Sequence, residues 1–130
     1  MFLLDSSGSV GQPDFEKMLK FVQSIITTFT IGPNDVQVGV DTFSSTVTSE
    51  FNLDEYNDTM SLKSAIGLIT YNGGQTNIAD SIRFMVNNSF SPLSGKHTDH
   101  RLYIGLCSYK VVGTKRSTAN TRFIGGGGAM

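Results

Sequence analysis

Apolar and polar positions along the chain follow a pattern that predicts strands and helices in alternation. The apolar run Phe2–Leu4 favours a short buried strand. Valines at every second position from 36 to 40 predict a strand that ends near Phe43. The β-rich segment Thr46–Phe51 is expected to pair with it as a hairpin, and Arg101–Leu106 predicts a fourth strand.

Three segments carry apolar residues at helical spacing. The first predicted helix runs from Pro13, which suits a first helical turn, to about Thr28. The second is expected to end near Tyr71 and the third before Ser91. Strand–helix–strand order with glycine-rich turns predicts an α/β fold, a doubly wound sheet with helices on both faces.

Composition restricts the fold to one domain and narrows the range of partners. The chain has 130 residues, 38% of them hydrophobic, which is enough for a real core. A net charge of −1 argues against nucleic acid as a partner, and no apolar run is long enough to insert into a membrane. Cys107 is the single cysteine, so an intrachain disulfide is excluded.

Charge is distributed unevenly along the chain. All 11 acidic residues lie at or before Asp99, and the four charged residues between Gly105 and Met130 are all basic. Four consecutive glycines follow at 125–128. We therefore expect residues 107–130 to form a basic, glycine-rich tail that is poorly ordered.

The most informative polar motif follows the first predicted strand. Asp5, Ser7 and Ser9 place a carboxylate and two hydroxyls at alternate positions, so in an extended loop all three point the same way. Oxygen ligands of this kind suit Mg²⁺, Mn²⁺ or Ca²⁺ better than zinc or copper. The motif indicates half of a divalent-cation site, although serine and aspartate are also common in turns and helix caps.

A second loop, Gly73–Asn77, precedes the third predicted helix and can bring another hydroxyl to the same edge of the sheet. Its two glycines allow the backbone to approach a neighbouring loop closely. Thr76 is the candidate ligand. The alternative interpretation makes Thr76 the N-cap of the following helix.

Three motifs in this order resemble the von Willebrand factor type A domain: Phe2–Gly11, Val38–Ser44 and Gly73–Asn77. The resemblance covers residues 2 to about 104. It is nearest to the domains of matrilins and type VI collagen chains. It implies a metal-ion-dependent adhesion site made of Asp5, Ser7, Ser9 and Thr76.

The same resemblance implies a fold and a function. The strand order would be third, second, first and fourth, with the third strand antiparallel. The domain would be an extracellular adhesion or matrix-interaction module and not an enzyme. Its Mg²⁺ or Mn²⁺ would bind an acidic residue of a matrix or cell-surface protein. No signal peptide opens this chain, so secretion would require a larger parent protein.

One departure from the family pattern concerns the cation. Family members have an aspartate after the fourth strand, whereas here Leu102–Leu106 runs into Cys107-Ser108-Tyr109-Lys110. We therefore expect an incomplete sheet, a partial domain over residues 1–106 truncated at its carboxyl end, and weak or absent Mg²⁺ binding. A truncated metal-free interaction domain, or a fragment without function, is the alternative.

Other polar positions have less specific interpretations. Asp41 lies in an apolar strand and is expected to be a buried carboxylate bonded to a neighbouring loop, with a role near the cation as the alternative. Asn57 and Asn87 begin glycosylation sequons. A metal-dependent phosphotransfer enzyme would use Asp5, but the second acid expected two residues later is Ser7.

Overall fold

A five-stranded sheet and three helices form the computed structural model, which describes residues 1–89, 102–111 and 117–126. The strands are β1 (Phe2–Asp5), β2 (Val40–Phe43), β3 (Val47–Phe51), β4 (Leu102–Val111) and β5 (Ser117–Gly126). The helices are α1 (Gln12–Ile26), α2 (Thr59–Gly67) and α3 (Ile78–Phe84), and α3 continues into a π-helical turn, Met85–Ser89.

The strands lie in the order β3-β2-β1-β4-β5. Strand β1 is parallel to both of its neighbours, and the edge strands β3 and β5 are antiparallel to theirs. In the parallel pair, Leu3 lies opposite Asp41 and Asp5 opposite Phe43. The predicted order of the first four strands and the antiparallel third strand are confirmed.

Alternate residues of β1 serve two cores because successive side chains of a strand point to opposite faces. Phe2 and Leu4 pack in a cluster with residues of α1 and α2, including Val22 and Leu62. The other face has a smaller cluster, formed by Met1, Leu3, Phe43, Leu53 and Met85. Helices therefore cover both faces of the sheet, as predicted.

Several element boundaries differ from the predictions. Strand β2 begins at Val40, because Val36 forms only an isolated bridge with Ile31. Helix α1 ends at Ile26, where the hydroxyls of the next two threonines bond back to helix carbonyls. Helix α2 ends at Gly67, well before Tyr71, because the following amides bond to carbonyls three residues back.

The β4–β5 hairpin lies where a poorly ordered tail was predicted. Strand β4 pairs with β5 without interruption, from Leu102 opposite Gly126 to Val111 opposite Ser117. Aromatic and β-branched residues recur in both strands, and this favours extended backbone despite the change in charge. Strands therefore occupy residues 107–111 and 117–126 of the predicted tail, whereas residues 112–116 and 127–130 lie outside the described residues. A domain boundary at residue 106 stays a prediction.

Candidate cation site

The first loop of the candidate site begins at the carboxyl end of β1. Asp5 is buried, and its Oδ1 accepts a hydrogen bond of 2.9 Å from the amide of Ser7. The hydroxyls of Ser7 and Ser9 lie 3.1 Å apart, with Ser7 buried and Ser9 exposed. The structure thus joins the three predicted residues of this loop in one short hydrogen-bonded chain.

Neighbouring residues fix the conformation of this first loop. The amide of Ser6 donates to the carbonyl of Phe43 at 2.8 Å, and its hydroxyl donates to the same oxygen at 3.2 Å. The hydroxyl of Tyr71, just after α2, donates to the carbonyl of Ser7 at 3.1 Å. Ser6 and Tyr71 were not predicted as site residues, because Ser6 lies outside the alternate positions 5, 7 and 9 and Tyr71 is distant in the sequence.

The second loop approaches the first through its glycines. The amide of Gly8 donates to the carbonyl of Gly74 at 2.8 Å. Gly73 and Gly74 have φ values of +68° and +96°, a region that other residues rarely adopt. A Cβ atom on Gly74 would lie 2.8 Å from Oγ of Ser45. The predicted close approach of the two loops is therefore present.

The turn between β2 and β3 holds the second loop on both sides of Thr76. The amide of Gln75 donates to Oγ of Ser45 at 2.9 Å, and the amide of Asn77 donates to the carbonyl of Ser44 at 3.1 Å. Thr76 itself is exposed. The sequence Ser44-Ser45 after a predicted strand indicated a tight turn. It did not indicate that this turn accepts hydrogen bonds from the second loop.

The N-cap interpretation of Thr76 is wrong. Asn77 is the N-cap of α3, because its side chain accepts a hydrogen bond of 3.4 Å from the amide of Asp80. Thr76 lies one residue before the cap, in the loop anchored to the Ser44–Ser45 turn. Its hydroxyl is therefore not used as the N-cap, and its role as a cation ligand stays a prediction.

The donor set matches a hard divalent cation in type but is low in negative charge. Within the part of the chain that the structure describes, no three His, Cys, Asp or Glu side chains form a group able to hold a metal. The first loop offers one carboxylate, from Asp5, and two hydroxyls. Such ligands suit Mg²⁺ or Mn²⁺ and would leave about one positive charge uncompensated.

Asp41 lies away from this site, within the sheet. It is opposite Leu3 in the β1–β2 register, two residues before the strand end at which Asp5 lies. Its Oδ2 accepts a short hydrogen bond from the hydroxyl of Ser89 in the π-helical turn, and its Oδ1 has no hydrogen-bond partner among the described residues. The carboxylate is thus buried and bonded to a neighbouring segment, which was the leading interpretation of the sequence.

Burial raises the pKa of the Asp41 carboxyl. The hydrogen bond from Ser89, the nearby Ser49 hydroxyl and the positive amino group of Met1 lower this pKa in part. The same burial lowers the pKa of the Met1 amino group to about 6. Asp41 is therefore a group whose ionisation opposes folding, and it is separate from the candidate ligands.

The two sequon asparagines are exposed and lie apart from the cation loops. Asn57 directly precedes Asp58, the N-cap of α2. Asn87 lies in the π-helical turn, and the third residue of its sequon, Ser89, is buried against Asp41. The first sequon is therefore the more open of the two in the folded chain.

Fold and site together define a class of protein. A doubly wound sheet presents a carboxylate–hydroxyl loop at the end of its first strand, and a glycine-rich loop lies against it. The sequence model of the von Willebrand factor type A domain matches residues 1–105. The chain belongs to the von Willebrand factor type A domain family.

Two human matrix proteins illustrate the similarity in sequence. The collagen alpha-6(VI) chain is 36% identical over 104 residues, which are 80% of this chain and 5% of the collagen chain. Matrilin-3 is 49% identical over 70 residues, which are 54% of this chain and 14% of matrilin-3. The chain thus spans a small fraction of these relatives, and the predicted likeness to matrilins and type VI collagen is confirmed.

Solved structures show the same fold. Proximal thread matrix protein 1 from the mussel byssus superposes with a TM-score of 0.69 at 30% identity, over 75% of this chain and 26% of that one. A second structure of that protein, with a zinc-occupied MIDAS motif, gives 0.68 at 29% identity over 75% and 27%. Among the described residues of this chain, no helix is long and apolar enough to cross a membrane.

Proposed function

We propose that this chain is an extracellular adhesion module that binds matrix or cell-surface proteins through a divalent cation. The observation that carries the proposal is the buried carboxylate of Asp5, bonded to the loop that presents the Ser7 and Ser9 hydroxyls. The relatives support a role in the extracellular matrix, because they are a collagen chain, a matrilin and a thread matrix protein. None of these is an enzyme, and we propose a binding role without catalysis.

Each residue of the proposed site has a distinct task. Asp5 supplies the negative charge, and the hydroxyls of Ser7, Ser9 and Thr76 supply neutral oxygens. A bound Mg²⁺ or Mn²⁺ would offer an open coordination position to a carboxylate of the partner protein. The Ser44–Ser45 turn orients the loop that contains Thr76. Zinc at the MIDAS motif of the mussel protein supports divalent cations as a class.

The cation should bind weakly to this chain. Asp5 is the one carboxylate that the described residues bring to the site, so the cation keeps excess positive charge. A further acidic group would contribute on the order of 1–3 kcal/mol, the typical worth of a charge-assisted contact. The same excess charge favours an acidic partner, since its carboxylate completes the neutralisation.

Calorimetric titration with Mg²⁺ and Mn²⁺ tests the proposal. The wild-type chain should give a weak saturable signal, and Asp5→Asn should abolish it because the hydroxyls alone do not neutralise a dication. Asp54→Asn removes an exposed carboxylate outside the site and is the matched control. Equal titration curves for wild type and Asp5→Asn would contradict the cation site. Partner binding that persists in EDTA would favour the metal-free interaction domain.

Secretion and glycosylation are also part of the proposal. A parent protein exported to the matrix would carry glycans most readily at Asn57, which is exposed beside the start of α2. Asn87 is the weaker candidate, because Ser89 of its sequon is buried. Mass spectrometry of the chain secreted from animal cells, before and after glycosidase treatment, would measure occupancy at both asparagines.

A further inference from the structure

A groove of about 660 Å³ runs between one face of α1 and the segment Gly67–Tyr71. Its floor is apolar and buried, formed by Phe15, Leu19 and Ile69. Leu68 lines the groove with 79% of its surface exposed. An aliphatic side chain this exposed beside an apolar floor provides a contact surface for an apolar group of another molecule.

The groove adjoins the first loop of the proposed cation site. Tyr71 lines the groove, and its hydroxyl donates to the carbonyl of Ser7 in the first loop. Gln12, the first residue of α1, also lines the groove and lies only three residues after Ser9. A ligand that reaches the cation from this side must pass over the groove.

Three polar residues of α1 line the groove at intervals of four, namely Gln12, Glu16 and Lys20. The side-chain amide of Gln12 donates to Glu16 at 3.1 Å. Lys20 has no carboxylate partner among the described residues, whereas the nearby Lys17 pairs with Asp14 at 2.8 Å. Eight residues of helix separate Gln12 from Lys20, about 12 Å along the axis.

We propose that this groove binds an extended acidic segment of the partner protein. The proposal rests on the proposed function for its first contact, a carboxylate of the segment on the cation. A second carboxylate pairs with Lys20, and an apolar side chain between them covers Leu68 and Tyr71. Lys20 at one end of the groove and the cation of the proposed function near the other end are the positive charges that would select this partner.

The length of α1 along the groove, about 12 Å from Gln12 to Lys20, guides the choice of a probe. An extended chain advances about 3.3 Å per residue, so four residues span about 13 Å. Residues at positions i, i+2 and i+4 of such a chain point to one side. A segment with an acidic residue, an apolar residue and a second acidic residue, each separated by one further residue, therefore has a length similar to that of the groove.

A synthetic peptide tests this arrangement directly. The probe is a fluorescein-labelled heptapeptide with glutamate, serine, leucine, serine and glutamate between two glycines, measured by fluorescence anisotropy in Mn²⁺ buffer. Leu68→Ser should weaken binding about 10-fold, the loss expected when a large part of a leucine contact is removed. Lys20→Gln should weaken it about 3-fold, and Glu16→Gln should strengthen it about 2-fold, the range of exposed charge pairs.

Two controls accompany these variants. Lys63→Gln removes an exposed lysine of α2 that does not line the groove, and it should leave affinity unchanged. A peptide with serine in place of leucine should bind about 10-fold more weakly to the wild-type chain and show no further loss on Leu68→Ser. Circular dichroism of each variant establishes that the fold is retained.

The outcomes separate this inference from the proposed function. If binding requires Mn²⁺ and Asp5 but is unchanged by Leu68→Ser and Lys20→Gln, the groove proposal is refuted and the proposed cation site is retained. Binding that depends on Leu68 and Lys20 but persists in EDTA and in Asp5→Asn would support the groove and refute the cation contact. Absence of any binding by the heptapeptide, or an equal effect of Lys63→Gln and Lys20→Gln, would overturn the groove proposal.

Discussion

Replacing Gly74 by alanine tests how closely the two loops of the candidate site depend on each other. The backbone of Gly74 has φ +96°, and an added Cβ would lie 2.8 Å from Oγ of Ser45. That Oγ accepts the hydrogen bond from the amide of Gln75, so moving it away removes an anchor of the second loop. The carbonyl of Gly74 also holds Gly8 of the first loop.

The expected loss of stability has two parts. A positive φ costs an alanine roughly 1–2 kcal/mol. Displacing Ser45 loses one hydrogen bond, worth about 1 kcal/mol. The sum, about 2–3 kcal/mol, should lower the thermal midpoint by roughly 10 °C in a domain of this size. Cation affinity should fall as well, since Thr76 lies directly after the anchored Gln75.

Gly73→Ala supplies the matched control. Gly73 also has positive φ, +68°, but a Cβ there would meet nothing closer than the Tyr71 hydroxyl at 3.7 Å. It should therefore show the backbone cost alone. Urea denaturation followed by circular dichroism measures both variants, and Ser45→Ala provides a background in which the Oγ contact is gone. The reasoning is refuted if Gly74→Ala lowers the free energy of unfolding no more than Gly73→Ala does. It is also refuted if Gly74→Ala costs as much in the Ser45→Ala background as in the wild-type chain.

Three further predictions concern buried and capping carboxylates. Burial raises the pKa of Asp41 above 3.8. Its contribution to the free energy of unfolding therefore falls as the pH rises from about 3.8 through the folded-state pKa. Asp41→Asn should flatten that part of the profile of urea midpoint against pH. Ser89→Ala removes the donor to Asp41 and should cost about 1.5–3 kcal/mol near pH 7, and a cost just as large near pH 4 would argue against an ionised carboxylate. Hydrogen bonds from Ser61 lower the pKa of Asp58, so its stabilising effect is present above about pH 3.8 and is lost as pH falls further. Asp58→Ala should thus reduce the thermal midpoint at pH 7, and an equal reduction in Asp54→Ala would point to a general charge effect.

Local patterns in the sequence were enough to predict the centre of the fold. The fully buried strand Phe2–Asp5 and the helical spacing of α1 are strong signals, because each buries an apolar face against the sheet. The oxygen motif at the end of β1 was visible for a different reason, because alternate residues of an extended segment point to the same side. The Gly73–Asn77 loop indicated Thr76 as a candidate ligand, and the family resemblance grouped it with Asp5, Ser7 and Ser9 and supplied the strand order.

Features that depend on tertiary contacts were not visible in the sequence. The anchoring of Gln75 by Ser45 joins residues thirty positions apart, and no local signal marks such a pair. The π-helical turn Met85–Ser89 follows a short helix, and it contains no glycine or proline that would predict a change of helix type. Strand β5 was missed because glycines and basic residues indicate disorder when they are considered without the pairing strand.

The order of the strands has a consequence for where any ligand can bind. From β1, the chain crosses by α1 to β2 on one side, and it later returns to β4 on the other side. The strand order therefore reverses between β1 and β4, and this reversal is the topological switch point at which an open α/β sheet forms its ligand-binding crevice. Asp5 is the last residue of β1, so it lies at the mouth of that crevice. The location of the site is thus set by the path of the backbone, and mutations in the loops can change which ligand binds there without moving the place of binding.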